Sequence, residues 1–170
     1  SLRLLVNDLE AITVTRAPPA DPFAAVPATP DDLLRYRSYG LNPHRVRLRG
    51  VGTGRRPGDF LVIQDAKFGV RVNSDSRVPL KLGDEVEVAG FPALMGYSAG
   101  LQGSVYRVIG HTGEAAAQPV SVGQLLTDQW AADTDQKLVR LQGTLRAVQR
   151  NGWETILAME EGGVSFAALL

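Results

Sequence analysis

The stretch Val46-Arg47-Leu48-Arg49-Gly50 returns in the second half of the chain as Val139-Arg140-Leu141-Gln142-Gly143. A fold built twice in 170 residues must be small, and its unit can be read by overlaying the copies. Leu33-Leu34 matches Leu125-Leu126, Phe60 to Asp65 matches Ile156 to Glu161, and Gly69-Val70-Arg71-Val72 matches Gly163-Val164-Ser165-Phe166. The unit is a short helix, a strand ending in glycine, a hydrophobic strand closed by an acid, and a glycine-led strand.

Only the first copy continues. Leu82-Gly83-Asp84 turns into Glu85 to Phe91, with the valines on one side and the acids on the other. The loop Gly96-Tyr97-Ser98-Ala99-Gly100 then leads into Leu101 to Ile109. Val46 and Leu48 alternate with Arg45, Arg47 and Arg49, the pattern of a half-buried antiparallel strand. Five short strands joined by turns predict an all-β chain with a small, nearly closed barrel. Ahead of it, Ala17 to Pro30 is a Pro/Ala linker. Thr29-Pro30-Asp31-Asp32 is a helix start, with Thr29 as N-cap and two acids on the positive end of the dipole. Ser121 is the expected cap of the second helix.

The expected organisation is an N-terminal strand pair and linker at 1–22, a helix and barrel at 23–112, and a second helix with a partial barrel at 113–170. The second copy is expected to be completed either by chain beyond Leu170 or by the strands at 1–15, Leu2 to Val6 and Ile12 to Thr15. The latter is preferred, in the same chain or by strand exchange in a homodimer. Because the sequence opens on Ser1, it reads as an excised or processed fragment.

The order of elements resembles the OB-fold. Val46 to Val51, Phe60 to Asp65 and Leu82 to Phe91 resemble the tandem OB-like repeats in the extracytoplasmic sensing regions of bacterial sensor histidine kinases. Residues 1–19 are similar to the segment that closes such a repeat. The resemblance implies a non-enzymatic ligand- or protein-sensing module, periplasmic and part of a membrane-anchored protein. Kinase activity is not implied, since no kinase core is present. Gly69 following Lys67-Phe68, and the incomplete second copy, depart from the pattern.

Composition narrows the chemistry. With no cysteine, thiol nucleophiles, disulfides and cysteine-based metal sites are excluded. No apolar run approaches the roughly 18 residues of a membrane span. His44 and His111 have no histidine or carboxylate at ligand spacing, so no metal is expected. Ser98 and Ser104 lack a nucleophile frame, and Asp59, Asp65 and Asp84 sit at turns, where carboxylates bond backbone N–H groups. Gly50-Val51-Gly52-Thr53-Gly54 lacks the ending and the helix of a phosphate loop. No catalysis and no cofactor are expected.

A binding surface is expected where OB barrels hold ligands, on the second and third strands and the adjoining loops. It would comprise Arg55, Arg56, Gln64, Lys67, Phe68, Arg71 and Tyr97. Interleaved arginine and aromatic residues suit an anionic or stacking partner, which makes a single-stranded nucleic-acid module the alternative function. The plainer reading is a solvated face with Phe68 turned inward; 6% aromatics and zero net charge favour it. Trp153, beside Asn151-Gly152, is either a contact residue or packed under the second barrel.

Overall fold

A computed structural model describes residues 5–15, 17–35, 44–95, 98–127, 134–152 and 154–170. Five strands form the centre of the molecule: β2 (Val46–Arg56), β3 (Phe60–Gln64), β4 (Gly69–Asn73), β5 (Asp84–Met95) and β6 (Ser98–His111). They are preceded by a two-residue strand β1 (Val26–Pro27) and a short helix α1 (Pro30–Arg35).

The long strand β2 belongs to two ladders. Val46 to Val51 pairs antiparallel with β5, and Val51 to Arg56 pairs antiparallel with β3. The register shifts between Gly52 and Gly54, where the strand bends from one ladder into the other. β3 pairs with β4, β5 with β6, and a parallel bridge from Val72 to Leu101 joins β4 to β6. The cyclic order β2-β3-β4-β6-β5 leaves no open edge among these strands. This is the closed five-stranded, OB-like barrel that the sequence predicts.

Alternation fills it. Val46, Leu48, Leu61, Ile63, Val70, Val72, Val86, Val88 and Leu101 point inward and are all buried, and Leu33 of α1 joins them. Only glycine fits at position 90: a Cβ there would lie 2.1 Å from Ser104 Oγ across the β5–β6 pair.

The C-terminal half contains β7 (Gln118–Pro119), α2 (Val122–Leu125), β8 (Val139–Arg140), β9 (Thr144–Asn151), β10 (Glu154–Glu161) and β11 (Val164–Leu169). β9, β10 and β11 form an antiparallel meander. Three features of the first half recur at a spacing of 92–93 residues. β1 runs parallel to β2 from Val26 on Val46, and β7 parallel to β8 from Gln118 on Val139. Asp32 N–H bonds Thr29 Oγ1 while Thr29 N–H bonds the Asp32 carboxylate, and Ser121 and Gln124 make the same reciprocal box. The bulge that skips Thr53 opposite β3 has its counterpart where Arg146 is skipped opposite β10.

The expected N-terminal strand pair is not formed. From Leu5 to Thr15 every residue is exposed, and the only regular structure is a 3₁₀ turn, Leu9–Ala11, capped by the Asp8 carboxylate. A hairpin without a partner sheet does not hold together in water, so the alternating pattern stays unused. The expected strand Leu2 to Val6 falls partly on residues 1–4, outside the described residues. In this chain residues 5–15 therefore do not cover the C-terminal sheet.

Candidate binding surface

The outer face of β3 and β4 is built around Phe60 and the turn between the strands. Asp65 shapes that turn: its Oδ1 accepts the N–H groups of Lys67 and Phe68, both at 2.7 Å. Lys67 stands exposed at the tip, and Phe68 is half-buried. Further along, the Arg71 guanidinium lies 3.9 Å over the Phe60 ring and bonds Asn73 Oδ1, while Arg56 approaches the same ring at 5.8 Å. Arg56 also sits 3.7 Å from Asp59 and 3.9 Å from Glu154 of β10. Arg55 leaves the group, donating to the Val78 carbonyl, which also accepts the Tyr106 hydroxyl. Tyr97 and Trp153 lie outside the described residues.

The far end of this face is already occupied. Gln64 Oε1 accepts the Leu138 N–H at 2.9 Å, and Ser98 Oγ bonds the Asp135 carboxylate. A Cβ on Gly69 would lie 1.8 Å from the Gln136 carbonyl oxygen, so the connector into β8 presses on the backbone of β4. Gln136 takes the left-handed conformation, φ 60°, to make this approach. The expected set thus divides: Arg56 and Arg71 converge on Phe60, Gln64 is committed to the connector, and Arg55 and Lys67 stand apart. Beside it, a cleft of about 710 Å³ opens between Gly58-Asp59, Asn73 to Ser76 and Gly103 to Val105.

A second cluster lies on the opposite ladder. Arg49, Glu87 and Arg107 are direct cross-strand neighbours on β2, β5 and β6. The Glu87 carboxylate is fully enclosed, bonded by Arg49 Nε at 3.0 Å and Arg107 Nε at 2.9 Å, with Arg47 at 3.4 Å. Burial alone would push this carboxyl up; the hydrogen bonds and charges of Arg107 and Arg49 outweigh it and hold it below the usual range. The Phe23 ring lies 4.2 Å from the Arg107 guanidinium and ties the Pro-rich strap to the barrel wall. The alternating arginines of β2 and acids of β5 were visible in the sequence; that they share one row follows only from the β2–β5 pairing.

His111 needs a correction. Its Nδ1 lies 2.9 Å from Asp84 Oδ1, because Asp84 and His111 are partners across β5 and β6. The carboxylate absent at sequence spacing arrives through the sheet. A hydrogen bond from the Lys81 backbone, then the His111 contact, lower the Asp84 pKa. Among the described residues, no three acidic or histidine groups come together in metal-binding geometry.

These features define an all-β protein built on a closed OB-like barrel, with a strap and a second sheet attached. No family model and no curated protein matches the chain. Among solved structures, that of the hypothetical protein ygiW from E. coli is similar over 51% of this chain and 92% of its own, at 22% identity and a TM-score of 0.41.

Proposed function

We propose that the chain is a non-enzymatic sensing module made of two OB-like units in tandem, from the extracytoplasmic region of a bacterial sensor histidine kinase. The observation that carries the tandem reading is the recurrence of the parallel bridge, the capping box and the bulge at one spacing. The motifs around Val46 to Val51, Phe60 to Asp65 and Leu82 to Phe91 support the kinase assignment by resemblance. The module recognises polypeptide or a small ligand, and signals through a shift in how the units pack. Its β3–β4 face already holds a polypeptide segment by a side chain-to-backbone bond, Gln64 to Leu138. The complete coding sequence tests the reading. A membrane-spanning helix and a kinase core in the same polypeptide are expected, and a polypeptide with neither overturns it.

The stacking of Arg71 and Arg56 on Phe60 favours a second reading, a single-stranded nucleic-acid module. Oligonucleotide binding whose log K falls steeply with log salt would establish it. No binding at low salt removes it.

A further inference from the structure

We propose that the groove between the Pro-rich strap and the barrel binds a monomeric amphiphilic carboxylate, an aliphatic chain with one negative head, and that Arg45 holds the head. The groove has a volume of about 630 Å³, with Pro18, Pro19, Pro22 and Val26 contributed by the strap and Arg45 and Phe91 by the barrel. It shares no residue with the β3–β4 face and is independent of the tandem reading. The strap wall is fixed at two places. Val26 and Pro27 run parallel on Val46 and Arg47, and the Ala28 N–H donates to the Arg47 carbonyl at 2.8 Å. Asp21 Oδ1 accepts the Phe23 N–H at 2.9 Å and opens the 3₁₀ turn Pro22–Ala24, whose Phe23 ring rests on Arg107. Prolines have no N–H and a fixed φ, so this wall is apolar and loses little freedom when a ligand lies against it.

Charge names the occupant. The β2–β5 register sets Arg49 opposite Glu87 and Arg47 opposite Ala89, and two residues further along Arg45 meets Phe91 in place of an acid. Its guanidinium lies 5.1 Å from the ring centroid and donates to the Gly103 carbonyl at 3.4 Å, which fixes where the charge stands. Arg47 and Arg49 are paired with Glu87, whereas among the described residues no carboxylate pairs with Arg45. Arg45 and His44 are the titratable residues of the lining, and none of the lining residues is acidic. The nearby Asp21 carboxylate is turned to the Phe23 amide. A cation beside an apolar wall complements a ligand of the opposite make: a carboxylate takes charge-assisted hydrogen bonds from the guanidinium, and its chain covers the prolines and Val26. The volume lies within the roughly 300–1,000 Å³ of small-molecule sites. A neutral chain forgoes the ionic contact, and a cationic one meets Arg45 with like charge.

Titration of the full chain with decanoate, followed by calorimetry and methyl NMR, should show saturable binding at one site, with shifts at Ala24, Ala25 and Val26. Decanol should bind more weakly, and neither decyltrimethylammonium nor acetate should bind measurably. Arg45→Gln should weaken decanoate by about tenfold and remove its advantage over decanol. Val26→Glu alters a side chain that is 72% exposed, so it should block decanoate and leave thermal unfolding unchanged. Val148→Asp, on the half-exposed face of β9, should leave binding as it is. No saturable decanoate binding, shifts confined to β9–β11, equal affinity for decanoate and decanol, or wild-type affinity in Arg45→Gln overturns the proposal. Binding to phosphatidylglycerol vesicles without binding to decanoate also overturns it, and makes the occupant a lipid surface.

Discussion

The two halves of this chain carry matching hydrophobic positions and bury them to different extents. Leu61 and Leu157 occupy corresponding places in the hydrophobic strand; one is 1% exposed and the other only half-buried. The residue is the same and so is the local ladder. What differs is the presence of β5 and β6 across the face. Burial here is decided by closure of the sheet, not by the alternation that makes closure possible.

The largest expected effect tests this directly. Leu61→Ala should destabilise the barrel by about 2–5 kcal/mol, because it opens a cavity in an enclosed core. Leu157→Ala should cost about 1 kcal/mol or less, since its side chain is already partly solvated. Equal losses in denaturant unfolding would break the contrast between the halves.

The next effect is confined to the barrel. Glu87→Gln removes the charge that gathers Arg47, Arg49 and Arg107, and should cost about 1–3 kcal/mol. The greater penalty of a fully enclosed pair does not apply, because the arginine heads reach water. Glu87 and Asp84 both have lowered pKa values in the folded state, against ordinary values of 4.5 and 3.8. The unfolded chain therefore binds more protons as the pH falls through these ordinary values towards the lower folded ones. Stability should be complete above about pH 5, decline through this window, and fall less steeply in Glu87→Gln. A decline equal to that of the wild type would remove Glu87 from the account.

A subtler change separates the halves without opening either core. Gly69→Ala forces the Gln136 carbonyl away, so the Leu138 amide should lose its bond to Gln64 and its protection from hydrogen exchange. Unchanged protection would show that the connector does not depend on this contact. The smallest effect belongs to the strap. Phe23→Ala should cost about 0.5–1 kcal/mol and speed protease cleavage between Ala17 and Ala25. An unaltered cleavage rate would mean that the prolines alone hold the strap.

Much of the barrel was legible. Period-two alternation and turn residues gave β3 and β4 nearly as they stand, and Thr29 and Ser121 cap their helices as expected. β2, expected to end at Gly50, runs on to Arg56, and β5, expected to end at Phe91, runs on to Met95. The candidate surface was legible only in part. Arg56 and Arg71 do gather at Phe60, but Phe60 itself read as one more strand hydrophobe. Gln64 looked free, because the residue that takes its oxygen lies in the connector before β8. The N-terminal alternation was read as strand, yet a period-two pattern forms strand only where an edge is there to receive it.

By itself the sequence determined which side chains alternate, where the chain turns, how the helices are capped, and that one unit occurs twice. These are local properties, set by neighbours within a few residues. The tertiary structure alone decided that β2 serves two ladders, that Glu87 stands between Arg49 and Arg107, that Asp84 meets His111, and that the connector rests on Gly69. Each joins residues tens of positions apart, and such contacts exist only once the sheet has closed.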